Sequence, residues 1–292
     1  MNHMTAKVSC FARAYHHADS HYPVFDDTAA AALLGSEFDL IAQNMTAGIP
    51  FFLPDFKGTS EEGLRLIVAR QLAPSVLGRS AYCEHMLQQE MQKGCRQYLI
   101  FAAGYDTFAI RNTDRSLSVF ELDIPELLDD KQSRIKNAGL ETSAVAVPCD
   151  LAQITWKEAL IKRGYSPAQV SFSSLLGISY YLSKAEWKAL LSAVSSIIPK
   201  KSSICFDYPS SDESTETKTN KALAQAAHEE MKALYSYEEI STLLAQCGFM
   251  VCEHLQHDTM TDRFFSQYNR RTPEHPMQAP RGVDYIFAVK EH

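Results

Sequence analysis

The chain has 292 residues, of which 46% are hydrophobic and 22% are charged, an ordinary composition for a globular protein that buries a full core. Its formal net charge of −7 argues against a general nucleic-acid-binding protein, because phosphate contacts need clustered Lys and Arg side chains. No apolar stretch reaches the length of about 18 residues that a membrane span needs, and the N-terminus lacks the apolar segment of a secretory signal.

The cysteines and histidines follow no metal-binding or disulfide pattern. The cysteine count is odd and no C-x-x-C pair occurs, which favours buried free thiols in a reducing cytoplasm. His16, His17 and His21 lie close together, but no acidic or cysteine partner has ligand spacing, so we expect no metal site. The cysteines are Cys10, Cys83, Cys95, Cys149, Cys205, Cys247 and Cys252.

From about residue 80 onward, short apolar runs alternate with amphipathic stretches. The pattern predicts a helix over 80–93 and another that begins at Pro125 and ends at Gly139. Further helices are predicted where a hydroxyl residue and a Glu three positions later form a capping box, at Thr155, Ser183 and Ser236. The predicted strands cover 97–104, 117–123, 144–148, 170–176, 203–208, 249–257 and 283–290.

This alternation indicates an α/β protein with a mostly parallel, Rossmann-like sheet and helices on both faces. The last two strands are separated by a loop over 258–282, which contains three prolines. Two successive strands with no helix between them predict an antiparallel pair, with an antiparallel edge strand, at one side of the sheet. A helix within the long loop is the alternative. That ending is typical of class I methyltransferases rather than of nicotinamide dehydrogenases.

Two segments lie outside the core pattern. Residues 1–79 contain helix-like pieces at about 26–47 and 60–73 and are predicted to form an N-terminal helical cap on a core over 80–292. An insertion at about 209–235 follows a strand end, where ligands of α/β folds bind. We expect the insertion and the cap to shape a ligand pocket as a lid. A disordered surface loop is the alternative for the polar part of the insertion.

Three short segments at predicted strand ends have the chemistry of a nucleotide site. The small residues Ala102 to Gly104 permit close approach of a ligand to the backbone. Glu121 and Asp123 lie 17 to 19 residues farther on, where an acid typically binds ribose hydroxyls. After the third strand, Asp150 and Leu151 suit an adenine amine and ring, with a solvated loop acid as the alternative.

These segments, in this order, resemble the leucine carboxyl methyltransferase family and its bacterial relatives, which include polyketide O-methyltransferases. The resemblance covers most of the chain and implies a methyltransferase that uses S-adenosyl-L-methionine and releases S-adenosyl-L-homocysteine. The matching segments are Phe11–His16, Phe25–Ala29, Gly78–Tyr82, Ala102–Thr107, Phe120–Pro125 and Val147–Leu151.

The resemblance also implies which residues hold the cofactor. Arg79 would pair with the methionine carboxylate, for which a guanidinium group is well suited, and Arg13 would reach the same carboxylate. Ala102, Gly104, Glu121, Asp123, Asp150 and Leu151 would line the loop, ribose and adenine positions. The chain departs from the family at Ala102, where Gly is usual, and at Leu176, where relatives carry Glu.

Methyl transfer from a sulfonium needs an aligned acceptor and a dry site more than it needs catalytic side chains. The resemblance thus implies an O-methyltransferase acting on a carboxylate or hydroxyl of a small molecule, and we assign no catalytic base. Tyr180 and Tyr181 are candidates to line the acceptor pocket, with core packing as the alternative for at least one of them. The alternatives are a non-catalytic binder of S-adenosyl-L-methionine and a methyltransferase for protein C-terminal carboxylates. An NAD-type oxidoreductase is a further alternative, but it would need a fuller G-x-G-x-x-G motif. The chain could also be an unrelated α/β protein, in which case the matches to the family segments would be coincidental.

Overall fold

The computed structural model describes residues 4–211 and 232–291, which form a seven-stranded sheet. The strands lie in the spatial order β3-β2-β1-β4-β5-β7-β6. In chain order they are β1 (Gln97–Phe101), β2 (Ser118–Asp123), β3 (Ala144–Pro148), β4 (Ser171–Leu175), β5 (Ser203–Pro209), β6 (Phe249–Leu255) and β7 (Val283–Lys290). Strands β1 to β5 are parallel, and β7 runs antiparallel to both of its neighbours.

The predicted mostly parallel α/β sheet is confirmed, with one correction to its edge. The antiparallel strand β7 lies between β5 and β6, and β6 forms the edge. Burial explains this order, because the first six residues of β7 are buried on both faces, as expected of an inner strand. The sequence of β6 alternates, with Met250 and Cys252 exposed, as expected of a strand that faces water on one side.

The N-terminal region is helical, but its helices differ from the predicted ones. They are α1 (Met4–Asp19), α2 (Ala30–Leu34), α3 (Glu37–Ala47), α4 (Ile49–Phe52) and α5 (Ser60–Ile67). The helix predicted over 26–47 is divided at Gly35, whose φ of +56° ends α2. A π-helical turn over Val68–Leu72 follows α5 and leads into α6 (Ala73–Gln92), so the helix predicted to begin at residue 80 begins seven residues earlier.

The remaining helices flank the sheet. They are α7 (Phe108–Arg111), α8 (Pro125–Asn137), α9 (Trp156–Lys162), α10 (Lys184–Ile197), α11 (Tyr237–Gln246), α12 (His257–Met260) and α13 (Ser266–Arg271). The capping boxes at Ser183 and Ser236 are formed, whereas Thr155 lies in the helical region of φ and ψ and makes no capping bond. An unpredicted capping box at Thr59 begins α5.

The segment predicted as a loop over 258–282 is partly helical. Helices α12 and α13 and a π-helical turn over Thr261–Phe265 fold back across α6 and α1. A Cβ on Gly78 of α6 would lie 3.3 Å from Met260 and from Phe265, and the ring centroids of His16 and Tyr268 are 5.1 Å apart. The close contact at Gly78 lets this segment cover one face of the sheet.

Two apolar clusters fill the two faces of the sheet. One contains side chains of α1, α2 and α6, and the other those of α9, α10 and α11. All seven cysteines are free, as predicted, and six of them are buried. No helix in the described residues is long and apolar enough to cross a membrane. Most of the proposed lid at 209–235 lies outside the described residues.

Candidate functional site

A cavity of about 960 Å³ lies at the carboxyl ends of the parallel strands, where ligands of open α/β sheets bind. We call the part lined by residues 102–106 and Asp123 the loop end. We call the part lined by Tyr180, Tyr181, His257 and residues 276–280 the tyrosine end. The first is formed after β1 and β2, and the second after β4 and before β7.

A tight backbone turn forms the loop end. Gly104 has a φ of +51°, and its N–H donates to Asp123 Oδ2 at 2.8 Å. The N–H of Ile124 donates to the other carboxylate oxygen of Asp123, also at 2.8 Å. Helix α1 passes over this turn, since a Cβ on Gly104 would lie 3.4 Å from Ala6 Cβ. Asp123 therefore both lines the cavity and fixes the turn.

Ala102 begins this turn with a φ of +50°. An L-residue with a side chain pays a steric cost there, which glycine avoids. The residue that departs from the family pattern thus occupies a backbone conformation that favours the family's glycine.

Arg13 lines the cavity, but two buried groups already occupy its guanidinium. Its Nε donates to Asp27 Oδ2 at 2.7 Å, and its Nη2 donates to the carbonyl of Tyr105 at 2.7 Å. Asp27 is fully buried and also accepts from Thr107 Oγ1 at 2.7 Å. The Arg13 guanidinium holds the pKa of the Asp27 carboxyl below its usual range, although burial opposes that shift. Arg13 therefore fastens α1 to the loop end.

Glu121, which was predicted to hold the ribose together with Asp123, lies outside the cavity lining. Its carboxylate is buried and lies 2.7 Å from the ammonium of Lys131 on α8. Burial raises the pKa of Glu121, and Lys131 opposes that rise. Period-two alternation places Glu121 and Asp123 on one face, but only Asp123, the last residue of β2, lines the cavity.

Asp150 and Leu151 also lie outside the cavity lining, beside the loop end. The N–H of Cys149 donates to the carbonyl of Asp123 at 2.8 Å, so the two residues follow directly after a contact with the cavity wall. Asp150 is exposed, and its carboxylate accepts from the N–H of Ala152 at 2.9 Å.

Arg79 reaches the cavity from α6 and lies close to a buried carboxylate. Its Nη1 is 3.6 Å from Oδ2 of Asp207 on β5. Asp207 accepts from the N–H of Gly177 at 2.7 Å and from the hydroxyl of Tyr180 at 2.9 Å. Gly177 has a φ of +67°, and a Cβ there would lie 2.6 Å from Arg79 Nη1. The turn that follows β4 at Gly177 and the carboxylate of Asp207 together position the guanidinium of Arg79.

The sequence interpretation missed Asp207, although one signal could have identified it. Asp207 stands in the otherwise apolar strand Ile204–Tyr208, and a charged residue that is buried in a central strand needs partners. Leu176 lines the cavity on the neighbouring strand end. The buried carboxylate near Arg79 is therefore supplied by β5 and not by position 176.

The tyrosine end contains a second residue that the sequence interpretation missed. His257 lines the cavity, and its Nδ1 lies 2.6 Å from the carbonyl oxygen of Ala279. Tyr180 and Tyr181, the residues predicted for the acceptor pocket, line the same end. Burial and the adjacent Asp207 raise the pKa of Tyr180 well above its usual value, so its hydroxyl stays a neutral donor.

The other conspicuous histidines do not form a metal site. His16 is buried and accepts from the N–H of Val24 at 2.9 Å, and His17 pairs with Asp26 at 2.6 Å. Across residues 4–211 and 232–291, no group of three potential ligands could hold a metal ion.

Comparison with known proteins agrees with this geometry. The family model of leucine carboxyl methyltransferases matches residues 6–195. The chain belongs to the leucine carboxyl methyltransferase family. Its relative YktD of Bacillus subtilis, whose name describes an S-adenosyl-L-methionine-dependent methyltransferase, is 35% identical over 303 residues, covering 99% of this chain and 98% of the relative.

Solved methyltransferase structures share the fold at low sequence identity. A methyltransferase structure from Thermobifida fusca has a TM-score of 0.57 and 12% identity, and the alignment covers 86% of this chain and 95% of that one. Magnesium protoporphyrin IX methyltransferase from Synechocystis, solved with bound S-adenosyl-L-homocysteine, has a TM-score of 0.50 and 10% identity, covering 88% and 97%. Family membership confirms a methyltransferase that uses S-adenosyl-L-methionine.

In this leucine carboxyl methyltransferase family member, the predicted cofactor residues fall into two groups. Arg13, Arg79, Ala102, Gly104 and Asp123 line the cavity. The carboxylate of Glu121 is paired elsewhere, and Asp150 and Leu151 lie beyond the lining.

Proposed function

We propose that the protein is an O-methyltransferase for a small molecule, with the cofactor at the loop end and the methyl acceptor at the tyrosine end. One observation carries this proposal. A single cavity of about 960 Å³ joins both ends, and ligand pockets of about 300–1,000 Å³ hold one or more small molecules. The tyrosine end mixes aromatic, apolar and polar side chains, as acceptor pockets for small molecules do.

The chain's own groups fit the cofactor chemically. Arg79 presents a guanidinium that suits the methionine carboxylate, and Gly104 allows close approach along the turn. Asp123 binds two backbone N–H groups, and carboxylate oxygens have further lone pairs for a ribose hydroxyl. Asp150 and Leu151 would meet an adenine that extends past Asp123. Arg13 would act indirectly, by holding α1 over the turn.

When bound, S-adenosyl-L-methionine supplies an activated methyl group on a sulfonium sulfur. The protein must then align the acceptor oxygen and exclude water. Arg79, held by Gly177 and Asp207, would fix one end of the cofactor. Tyr180 would orient the acceptor side through a hydroxyl that is itself held by Asp207.

The first experiment is calorimetric titration with S-adenosyl-L-methionine and S-adenosyl-L-homocysteine. We expect binding by the parent protein and at least about tenfold weaker binding by Arg79→Ala, the loss of one charge-assisted pair. Asp150→Ala tests the adenine position, and Arg65→Ala, whose partner is the surface residue Asp19, is the control. A folded parent that binds neither compound would remove the basis for this assignment.

A second experiment tests the acceptor class with labelled cofactor. The acceptors are a set of aromatic carboxylates and phenols and a peptide that ends in leucine. Label in the peptide alone would favour a protein C-terminal carboxyl methyltransferase. Binding without label in any acceptor would favour a non-catalytic binder, for which Ala102 and Leu176 are the motivating departures.

A further inference from the structure

His257 has a fixed tautomer in the described structure. The Nδ1 atom lies 2.6 Å from the carbonyl oxygen of Ala279, and a carbonyl only accepts hydrogen bonds, so Nδ1 must carry the proton. The neutral ring then has a lone pair on Nε2. No described residue forms a hydrogen bond with Nε2. The side chain of His257 lines the cavity and is 14% exposed.

Charged groups of both signs lie around His257. The nearest carboxylate oxygen is Oδ1 of Asp258, at 3.6 Å from Nε2, which is beyond hydrogen-bond distance. The side chain of Asp258 is 89% exposed, so solvent screens its charge and Nε2 stays without a hydrogen-bonding partner on that side. The other charged side chains that line the cavity are Arg13, Arg70, Arg79, Asp106 and Asp123.

We propose that His257 is the general base of the methyl transfer and that the acceptor group is a hydroxyl. This inference rests on the proposed function, because it places the acceptor at the tyrosine end. A carboxylate acceptor is already ionised at neutral pH and gains nothing from an unprotonated imidazole nitrogen. A phenol or alcohol keeps its proton near neutral pH and becomes nucleophilic as the base removes that proton.

The proposed step balances without any other reactant. The hydroxyl oxygen forms a bond to the methyl carbon while the carbon–sulfur bond breaks and its electron pair stays on sulfur. The hydroxyl proton moves to Nε2 of His257. The products are a methyl ether, S-adenosyl-L-homocysteine and an imidazolium, which returns its proton to water through the exposed part of the ring.

The bond from Nδ1 to Ala279 also joins α12 to residues 276–280, so the variants must separate catalysis from structure. His257→Asn retains an amide N–H near the Nδ1 position and removes the base. His257→Ala removes both functions and leaves space for added imidazole. His275→Asn, in an exposed position of the same segment that does not line the cavity, is the matched control.

The assay compares two phenols of different acidity at about pH 8. With 4-methylphenol, which stays protonated, we expect His257→Asn to reduce kcat/KM by about 10²–10⁴-fold. With 4-nitrophenol, which is already largely ionised, the reduction should stay within about tenfold. Imidazole should restore transfer by His257→Ala to 4-methylphenol. Equal losses for both phenols without imidazole rescue would overturn the proposal, as would a cofactor-binding parent that methylates carboxylates but no phenol.

Nitrogen NMR of the histidine rings gives a readout that does not depend on activity. In ¹⁵N-histidine-labelled protein, assigned with His257→Asn, we expect a protonated Nδ1 and an unprotonated Nε2 for His257 at about pH 8. A protonated Nε2 would contradict the proposed base. Calorimetry with S-adenosyl-L-homocysteine on the same samples separates the two failures, because loss of cofactor binding by the parent would concern the proposed function and not His257.

Discussion

The two ends of the cavity are built in different ways. The loop end consists of a few residues that are close in sequence, from Ala102 to Asp123, and buried charged groups fasten it to α1. The tyrosine end combines residues from three separated segments around 180, 257 and 280. Hydrogen bonds of neutral groups hold the last two segments, one from His257 to Ala279 and a pair between Asn269 of α13 and Met277.

The difference indicates a division of tasks. A site for a constant cofactor benefits from rigid, preorganised groups, whereas a site that selects an acceptor is more easily varied on loops. Changes at the loop end should therefore affect folding and cofactor binding together. Changes at the tyrosine end should affect the acceptor with little loss of folding stability.

The largest effect should come from breaking the buried pair that fastens α1. Replacing Arg13 by Met leaves Asp27, which is 0% exposed, without its closest counter-charge. We expect Arg13→Met to lower the free energy of unfolding by about 3–5 kcal/mol in urea denaturation. Arg65→Met breaks a surface ion pair in which the side chains of Arg65 and Asp19 are 30% and 27% exposed. This variant should lower the free energy of unfolding by at most about 1 kcal/mol. Similar losses in both variants would show that α1 is not fastened by this pair.

Acidification should also weaken the attachment of α1, through His16. Burial lowers the pKa of His16 from 6.5 to about 4. Below about pH 6.5 the imidazole of His16 becomes protonated in the unfolded chain, whereas in the folded protein it stays neutral down to about pH 4. The contribution of neutral His16 to the free energy of unfolding is therefore present above pH 6.5 and is lost as the pH falls through that window. Between pH 7 and pH 5 we expect the free energy of unfolding of the parent to fall by about 2 kcal/mol more than that of His16→Gln, measured by urea denaturation at each pH. His21→Gln, at an exposed position, should show the same pH dependence of the free energy of unfolding as the parent.

A pair of glycine substitutions tests whether Arg79 is positioned by the backbone after β4. Gly177 and Gly139 have similar φ values of +67° and +65°, but only Gly177 has a neighbour within 4 Å of an added Cβ, the Arg79 guanidinium. Both alanine variants should lose about 1–2 kcal/mol of stability through backbone strain. Only Gly177→Ala should weaken binding of S-adenosyl-L-homocysteine in calorimetry, by about tenfold, as expected for one displaced charge-assisted contact. Equal affinities would place the cofactor carboxylate elsewhere.

The smallest effect, and the only gain, is expected at Ala102. Ala102→Gly removes the steric cost of a φ of +50° and should raise the unfolding temperature, with a stability gain of about 1 kcal/mol or less. Lys201→Gly, at a φ of +69° in an exposed turn, should give a similar gain. If Ala102→Gly also tightened cofactor binding while Lys201→Gly did not, the methyl group of Ala102 would be in contact with the cofactor.

The strands were predictable because their apolar runs are local signals. Strands β3 and β7 have the predicted limits, and the others differ by one to three residues. The position of β7 inside the sheet was not predictable from the periodicity of apolar residues, because it depends on the pairing of β7 with β5 over residues 203–209. The helices at 257–271 were missed for a related reason, since their stability comes from packing against α6 and α1 rather than from a strong local pattern.

The site was predictable where it consists of one continuous motif. Gly104 and Asp123 meet because β1 and β2 are neighbours in the sheet, which the order of elements already indicates. Glu121 has the expected spacing but is covered by α8, and spacing carries no information about such a cover. Asp207 meets Arg79 and Tyr180, and His257 reaches the cavity, only through long-range packing. The charge of Asp207 within an apolar strand is a local signal, but it does not tell which groups the carboxylate meets.

Helix α1 lies directly over the loop end, where a helix fixed in place restricts how the methyl donor can enter and leave. Because a buried charge pair fastens α1, we expect small molecules to enter and leave through the tyrosine end. We then expect the donor to bind before the acceptor and the methylated product to leave before S-adenosyl-L-homocysteine. Turnover would follow a compulsory order, in which an acceptor bound too early blocks its own reaction.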